Sequence, residues 1–171
     1  TGVGSVTLAA PESIQSLLVA LPDISHIPLL DKGGYLDGRA AAEELLTALE
    51  TRSFKSILIG SGIGNNEDTV DFVRVFLAGL DEAVSEDFQG LVIDADGLNA
   101  LAVIEDWRAL TNQAIIITPH LGEMATLSGL QVDYIRQNKL MVAADYAQKW
   151  RSTVVLKGPG TVISNSNGEA R

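Results

Sequence analysis

Residues 115–123 read Ile-Ile-Ile-Thr-Pro-His-Leu-Gly-Glu, which combines the pattern of a strand with the start of a helix. Three consecutive β-branched residues predict a buried strand. Thr118 is placed to cap a helix and Pro119 to occupy its first position, so we expect the strand to run directly into a helix. In an open α/β sheet, ligands bind at this carboxyl end of a strand. The stretch therefore predicts an α/β fold with a binding site at this point.

His120 and Glu123 lie three residues apart, which places them on one face of the first helical turn. A helix N-terminus gathers free backbone N–H groups and the positive end of the helix dipole, so it can hold a phosphate or another anion. The alternative interpretation is a capped helix start whose His and Glu bind nothing. Similar residues at other strand ends favour the binding site.

The composition is that of a globular domain, with 171 residues of which 46% are hydrophobic and 20% charged. The absence of cysteine excludes disulfides and thiolate metal sites, and two histidines argue against a multi-histidine zinc site. A formal net charge of −10 argues against nucleic acid and against an anionic membrane surface as partners. Because the sequence has neither an apolar run of about 18 residues nor a leader, we expect a cytoplasmic protein.

Strands alternate with helices along the chain, which predicts a mostly parallel sheet covered by helices on both faces. The predicted strands are residues 5–10, 24–30, 56–59, 90–94, 115–117, 153–157 and 161–164, the last two forming a hairpin. The predicted helices are residues 11–21, 39–50, 67–80, 105–110 and 132–150. No linker, charge block or repeat divides residues 1–171, so we predict a single domain. Its abrupt ends predict that the domain is truncated at both of them.

Gly60-Ser-Gly-Ile-Gly64 follows a predicted strand and precedes a predicted helix, so its glycines can bring the backbone close to a phosphate. The dinucleotide-binding fingerprint is G-x-G-x-x-G, whereas this loop is G-x-G-x-G, and the acidic residue expected about 20 positions on is missing. The loop therefore gives little support to a Rossmann oxidoreductase. A tight turn without a ligand is the alternative.

Two further strand ends carry charged residues. Asp94 and Asp96 offer oxygen ligands of the kind that suit Mg²⁺ shared with a phosphate, although Asp96 is equally suited to cap the following helix. Lys157 ends a predicted strand beside Gly158-Pro-Gly160, where it can take a phosphate as a point charge. Taken alone, this lysine would be interpreted as solvated at a hairpin corner.

Four segments occur in a fixed order: residues 59–64 (Ile-Gly-Ser-Gly-Ile-Gly), 92–101 (Val-Ile-Asp-Ala-Asp-Gly-Leu-Asn-Ala-Leu), 117–123 (Ile-Thr-Pro-His-Leu-Gly-Glu) and 154–163 (Val-Val-Leu-Lys-Gly-Pro-Gly-Thr-Val-Ile). Together they resemble the ADP-dependent NAD(P)H-hydrate dehydratases of the ribokinase-like superfamily. Residues 2–12 also resemble that family's early strand, so the similarity covers nearly the whole chain. Four ordered motifs are far more specific than any single one.

The resemblance implies a ribokinase-like fold and a hydro-lyase that repairs metabolites. Such enzymes return the S epimer of NAD(P)H hydrate to NAD(P)H, coupled to hydrolysis of ADP to AMP and phosphate, or of ATP in eukaryotes. The hydroxyl group is phosphorylated and then lost as phosphate. The resemblance further implies Mg²⁺ as cofactor, a homo-oligomer, and an epimerase either fused or separate.

The resemblance also assigns roles to particular residues. The hydrated nicotinamide nucleotide would be contacted by Gly62, Gly64 and His120. The adenine nucleotide would be held by Lys157, Gly158, Pro159, Gly160 and Thr161. Glu123 resembles the acid that orients phosphate and magnesium, with Asp94 and Asp96 as its expected neighbours at the metal.

Two parts of the family pattern have no counterpart in residues 1–171. One is a glycine-rich motif ending in Gly-Asp, whose aspartate is the expected general base; the other is an N-terminal segment that touches the substrate. The resemblance therefore implies that residues 1–171 alone are inactive. A sugar or hydroxymethylpyrimidine-type kinase of the same superfamily is the alternative function, and a non-catalytic nucleotide-binding module is another.

Overall fold

A computed structural model of the protein describes residues 4–18 and 23–171. Its strands are β1 (Thr7–Pro11), β2 (Ser25–Leu29), β3 (Asp31–Lys32), β4 (Tyr35–Leu36), β5 (Ser56–Ile59), β6 (Gly90–Ile93), β7 (Ile115–Ile117), β8 (Thr153–Leu156) and β9 (Val162–Ser164). Its α-helices are α1 (Gln15–Leu18), α2 (Gly38–Thr51), α3 (Glu67–Ala83), α4 (Asp96–Val103), α5 (Leu121–Ser128), α6 (Val132–Gln137) and α7 (Lys139–Lys149).

The central sheet has five strands in the order β5-β6-β7-β8-β9. Strands β5 to β8 are parallel, and β9 returns antiparallel to β8. The predicted α/β architecture with a mostly parallel sheet is therefore confirmed, as is the predicted hairpin of the last two strands. Because β5 to β8 are parallel, their carboxyl ends lie along one edge of the sheet, where they follow one another in chain order.

Two smaller sheets lie outside the central one. β1 and β2 form a parallel pair, and β3 and β4 form a short antiparallel hairpin between the predicted strand 24–30 and the predicted helix 39–50. The hairpin turns at Gly33 and Gly34, whose φ angles of 63° and 89° favour glycine. The pair β1–β2 is not hydrogen-bonded to the central sheet in the described residues.

The helices cover one face of the central sheet. Since β5 to β8 follow chain order, right-handed crossovers place the connecting helices on the same face; α3 packs on α4, α4 packs on α5, and α2 packs on α3. Fully buried core side chains come from this sheet face and from the helices that cover it, among them Leu91, Ile93, Ile117, Leu156, Phe76, Leu80, Leu98 and Met124.

The opposite face of the central sheet is partly open in the described residues. The strand register aligns Leu58, Val92 and Ile116 across β5, β6 and β7. Leu58 is 63% exposed and Ile116 is 38% exposed, while Ile163 on β9 is 51% exposed. In the described residues this face lacks the helices that the sequence predicts on both faces of the sheet, so Leu58 is exposed. The prediction that strand 115–117 is buried is likewise wrong for Ile116, because alternate side chains of a strand point to opposite faces.

The predicted helix 132–150 is in fact two helices, α6 and α7, that meet at Asn138. Asn138 leaves the helical conformation (φ −126°, ψ 32°), and its side-chain amide donates to the carbonyl oxygen of Tyr134 at 2.9 Å. A short amide side chain competes in this way for backbone hydrogen-bonding groups, which interrupts a helix.

Two other predicted helices differ from the observed elements. Pro11 ends β1, a 3₁₀ turn covers Glu12–Ile14, and α1 begins only at Gln15; the predicted end at Leu21 lies outside the described residues. The predicted helix 105–110 is a 3₁₀ turn at Trp107–Leu110. Within residues 4–18 and 23–171, no helix is both long enough and apolar enough to span a membrane.

Candidate functional site

The chemistry-bearing segments lie at the carboxyl ends of four adjacent parallel strands, β5 to β8. In strand order they are residues 60–64, 94–96, 120–123 and 157–161. Backbone hydrogen bonds join one strand end to the next, as where the N–H of Lys157 donates to the carbonyl oxygen of Pro119 at 2.8 Å. The strand order therefore brings together segments that are far apart in the sequence.

His120, rather than Thr118, caps helix α5. Its imidazole Nδ1 accepts hydrogen bonds from the backbone N–H groups of Gly122 at 2.9 Å and Glu123 at 3.1 Å. The helix begins at Leu121, so the predictions that Thr118 is the cap and Pro119 the first helical residue are wrong by two residues. The imidazole Nδ1 accepts the free backbone N–H groups for which a serine or threonine hydroxyl is a usual acceptor.

Glu123 completes a reciprocal capping box with His120. Its Oε2 accepts the backbone N–H of His120 at 2.7 Å, and its Oε1 lies 3.5 Å from the imidazole Nε2. Because Nδ1 accepts two hydrogen bonds, the ring proton is assigned to Nε2, on the side of the Glu123 carboxylate. The Glu123 side chain is 12% exposed, whereas that of His120 is 61% exposed. Glu123 lies in the first helical turn as predicted, whereas His120 lies just before it, at the N-cap; the carboxylate is fixed and the ring is accessible.

Lys157 lies between two carboxylates from neighbouring strand ends. Its Nζ donates to Asp94 Oδ1 at 2.6 Å and lies 3.8 Å from Glu123 Oε2. Partial burial alone would raise the pKa of Asp94, but hydrogen bonds from Lys157 and from the backbone N–H of Ala95 outweigh it and hold that pKa below its ordinary value. Asp94 is therefore ionised at neutral pH, and it fixes the lysine ammonium where β6, β7 and β8 end.

Asp96 shapes the glycine loop and does not cap helix α4. Its Oδ2 accepts the backbone N–H of Gly64 at 3.1 Å. Helix α4 has Ala95 as its N-cap and no side-chain cap hydrogen bond, so the cap role considered for Asp96 is wrong. Ala95 has φ 48°, an uncommon conformation for a residue with a side chain, and the chain is therefore not extended between the two carboxylates.

Gly60 brings the glycine loop against the end of β6. It has φ 119°, and a Cβ atom there would lie 1.8 Å from the carbonyl oxygen of Asp94, so no side chain fits. Gly62, two residues on, has φ 76° and open space where a side chain would project. The loop backbone at Gly62 is therefore accessible to a ligand, whereas the N–H of Gly64 is already bound by Asp96.

The turn after β8 is held by a lysine that the sequence motifs do not include. Lys139, the first residue of α7, donates from Nζ to the carbonyl oxygen of Pro159 at 2.9 Å and also to that of Gly160. The Thr161 hydroxyl donates to the carbonyl oxygen of Gly158 at 3.2 Å. These contacts fix the backbone of the segment that begins at Lys157.

The charges of the site leave it negative before any ligand binds. The carboxylates of Asp94 and Glu123 and the ammonium of Lys157 sum to one net negative charge. Among the described residues, no three His, Asp or Glu side chains converge closely enough to hold a metal ion by themselves. A divalent cation here would need phosphate oxygens to complete its coordination, which is how proteins usually bind Mg²⁺.

The family model for NAD(P)H-hydrate dehydratases matches residues 1–171. The chain belongs to this family. Three relatives are each named bifunctional NAD(P)H-hydrate repair enzymes. The chain is 36% identical to the protein from Salinibacter ruber, 34% to that from Moorella thermoacetica and 32% to that from Dictyoglomus turgidum, over 98%, 98% and 95% of its length. The match covers 30% of each of these relatives.

Solved structures with the same fold are also longer than this chain, which matches only about half of their length. A dehydratase from Bacillus subtilis described as ADP/ATP-dependent, co-crystallised with ATP and Mg²⁺, has a TM-score of 0.72 at 21% identity, covering 99% of this chain and 53% of that one. A ribokinase-like superfamily protein from Enterococcus faecalis has a TM-score of 0.69 at 22% identity, covering 99% and 52%. These likenesses confirm the predicted ribokinase-like fold.

For this member of the dehydratase family, the structure brings four of the residues that the sequence singles out into direct contact. Lys157, Asp94, Glu123 and His120 form one connected cluster. Asp96 contacts Gly64 instead of joining that cluster. Lys139 was missed because nothing in the sequence links it to a turn that lies 20 residues further on.

Proposed function

We propose that the protein containing this chain is a hydro-lyase that returns (S)-NAD(P)H hydrate to NAD(P)H while ADP is hydrolysed to AMP and phosphate. The main observation behind the proposal is the position of the Lys157 ammonium between the carboxylates of Asp94 and Glu123, beside the accessible ring of His120. Family membership supplies the substrate class, and the relatives' names refer to NAD(P)H-hydrate repair.

The chemistry requires two steps. A phosphoryl group passes from ADP to the hydroxyl oxygen of the hydrated ring, and AMP leaves. The carbon–oxygen bond then breaks, phosphate leaves with the electron pair, and the neighbouring carbon loses a proton as the double bond forms. Phosphoryl transfer depends mainly on positioning and charge neutralisation, which are what a fixed lysine and a fixed carboxylate supply.

Each residue of the site has a proposed role. The nucleotide phosphates would be held by Lys157 and by the backbone of the turn that follows it, residues 158–161. The hydrated ring would contact the His120 imidazole and the backbone of Gly62 and Gly64. Glu123 would orient the transferred phosphate, because its side chain is mostly buried and its Oε2 accepts the backbone N–H of His120. The base that takes the hydroxyl proton is assigned to polypeptide outside residues 1–171.

The acidic site fits a magnesium ion that arrives with the nucleotide. Glu123, Asp94 and Asp96 would hold the ion together with phosphate oxygens. Bound there, Mg²⁺ would neutralise charge on the phosphates. Without such an ion, a polyphosphate would enter a site that already carries net negative charge.

We also propose which domain the chain belongs to, which enzyme acts with it, where the protein lies and how it assembles. Residues 1–171 would be part of one ribokinase-like dehydratase domain, and an epimerase would act with it, fused as the word bifunctional suggests for the relatives, or separate. ADP is the proposed phosphoryl donor, with ATP as the alternative. The proposed location is the cytoplasm, and the proposed assembly is a homo-oligomer.

The test uses the complete polypeptide encoded by the reading frame. It is incubated with hydrated NADH and Mg²⁺, with ADP, ATP or no nucleotide, and the return of NADH absorbance is followed. We expect recovery that requires nucleotide and is fastest with ADP. Glu123→Gln should lower kcat/KM by roughly 100-fold or more, the usual loss when one group that stabilises a transition state is removed.

Glu82→Gln is the matched control, because it makes the same chemical change at an exposed position of α3 away from the strand ends. It should leave the recovery rate unchanged. A folded protein that restores no NADH with any nucleotide would contradict the proposal. A screen of sugar and pyrimidine alcohols would then test the kinase alternative.

A further inference from the structure

The hairpin β3–β4 is held to the rest of the chain through Asp31 and Leu36. The Asp31 carboxylate accepts the backbone N–H of Ser13 at 3.1 Å and that of Gly34 at 2.9 Å. Leu36 is buried in the hydrophobic core. Tyr35 precedes Leu36 on β4, so its side chain points to the opposite face of the hairpin. The ring of Tyr35 is therefore carried by a fixed backbone.

The hairpin lies at the same edge of the central sheet as the glycine loop. It leads into α2, where a Cβ atom on Gly38 would lie 3.0 Å from the carbonyl oxygen of Asp68, in the first turn of α3. Residues 60–66 link the end of β5 to that turn. A Cβ atom built on Gly64 would lie 3.5 Å from Cδ1 of Tyr35 and 3.8 Å from its Cε1. One edge of the tyrosine ring therefore packs against the glycine loop.

The glycine loop is fixed at the point where it meets the ring. Asp96 accepts the backbone N–H of Gly64 at 3.1 Å. The buried Thr69 hydroxyl donates to the carbonyl oxygen of Ile63 at 3.1 Å, and the Thr69 backbone N–H donates to Asn66 Oδ1 at 2.8 Å. The loop and the ring are thus set in place before a ligand binds, which lowers the entropic cost of binding.

The rest of the Tyr35 side chain is open to solvent, and the residue is 59% exposed. A single exposed tyrosine is common on protein surfaces; what distinguishes Tyr35 is its fixed position against a loop with accessible backbone. Lys32 of the same hairpin donates to Asp37 at 2.9 Å, so its charge is already paired. The hairpin therefore offers a ligand an aromatic ring rather than a free charge, which suits a ring of the ligand better than a phosphate.

We propose that Tyr35 is a substrate-contacting residue whose ring packs on the nicotinamide end of the hydrated dinucleotide at the glycine loop. The inference rests on the proposed function, which places the hydrated ring at Gly62 and Gly64. Hydration leaves a flat segment in that ring, a carbon–carbon double bond conjugated with the carboxamide, on which an aromatic side chain packs well. Because this segment is the same before and during phosphoryl transfer, the contact contributes to KM and not to kcat.

Steady-state kinetics on variants of the complete polypeptide test the proposal. Tyr35→Ala should raise KM for hydrated NADH roughly 3- to 10-fold with kcat and the KM for ADP unchanged. Tyr35→Phe should retain the wild-type KM, because it keeps the ring. Tyr35→Thr removes the ring while suiting a β-strand, and it gives the same readout if the alanine variant does not fold. Tyr134→Ala is the matched control, since Tyr134 is 46% exposed on α6, outside the segments at the strand ends.

A shorter substrate identifies which end of the dinucleotide the ring contacts. Hydrated reduced nicotinamide mononucleotide lacks the adenosine half, and loss of the Tyr35 ring should raise its KM by the same factor as that for hydrated NADH. A rise for hydrated NADH alone would place the ring at the adenine end and overturn the proposal.

Two further results would overturn the proposal while the proposed function stands. One is a wild-type KM for hydrated NADH in a folded variant without the Tyr35 ring. The other is an equal rise in KM in Tyr134→Ala, which would make the effect a general one of removing an exposed tyrosine. A wild-type protein that restores no NADH is a different result, because it removes the proposed function and this inference with it.

Discussion

His120 combines a structural contact with an exposed functional group in one side chain. Its Nδ1 accepts from two backbone N–H groups at the start of α5, which leaves the rest of the ring facing outwards. Gly122 makes this arrangement possible, because a Cβ atom there would lie 2.9 Å from the imidazole Cε1. The role of His120 as a cap and its proposed contact with substrate can therefore be separated by substitution.

We expect His120→Ala to lower the free energy of unfolding by about 1 kcal/mol, because the helix loses its cap. His120→Asn should keep most of that stability, since asparagine is among the best N-cap residues. Both variants should raise KM for the hydrated nucleotide, because both lack the imidazole. Urea unfolding and steady-state kinetics on the two variants measure these effects separately.

Two outcomes would contradict this account of His120. Wild-type stability of His120→Ala would mean that the cap contributes nothing measurable. A wild-type KM of His120→Asn would mean that the ring does not contact the substrate.

The identities of the site residues were readable from the sequence, but their contacts were not. Lys157 and Asp94 stand out because each follows an apolar strand, yet they are 63 positions apart and only the strand order shows that they pair. Thr118 was mistaken for the cap because a hydroxyl is the commoner N-cap and imidazole nitrogen is a rarer acceptor in that position. Asp96 was predicted as a metal ligand or a cap. The local backbone at Ala95 turns its carboxylate towards the N–H of Gly64, which excludes the cap, and its role at the metal stays a proposal.

Helix α7 positions the proposed nucleotide turn through its first residue, Lys139. Lys139 reaches two carbonyl oxygens of the turn after β8 and so holds the segment that begins at Lys157. This contact depends on the break at Asn138, which starts a new helix beside the turn. A single helix over residues 132–150, as the sequence predicted, would have left Lys139 in the interior of a helix.

We expect Lys139→Met to raise KM for the nucleotide roughly 3- to 10-fold with little change in kcat, because two hydrogen bonds that order the turn are lost. Lys139→Arg should restore most of the affinity, since it keeps a charged donor at that position. Lys149→Met is the matched control from the last turn of the same helix. Equal effects of Lys139→Met and Lys149→Met would show that overall charge, rather than the turn, sets nucleotide affinity.

The sequence predicted the central strands and the longest helices well, because their apolar periodicity is strong and their neighbours are close in the chain. It placed β6, β8, α2 and α3 within a few residues of their observed bounds. It did not predict the break at Asn138, which depends on one side-chain hydrogen bond, or the exposure of Leu58 and Ile116, which depends on what covers the sheet.

The topology of the central sheet brings together segments that no single sequence motif contains. Four parallel strands in chain order deliver a glycine loop, a carboxylate, a histidine–glutamate pair and a lysine to one edge of one sheet. The chain has a formal net charge of −10, so an anionic ligand can bind only where such local groups oppose the overall field. We therefore propose this edge as one nucleotide site whose positive centre is Lys157.

The contribution of Lys157 to nucleotide binding is measured most directly by calorimetry. ADP with Mg²⁺ is titrated into the complete polypeptide and into its Lys157→Met variant, and the two affinities are compared. We predict binding by the wild type, weakening of roughly 10- to 100-fold in Lys157→Met as a charge-assisted contact is lost, and unchanged binding in Lys149→Met. Omitting Mg²⁺ should also weaken binding, because the site is already negative. Wild-type affinity of Lys157→Met for ADP would contradict the account and place the nucleotide elsewhere.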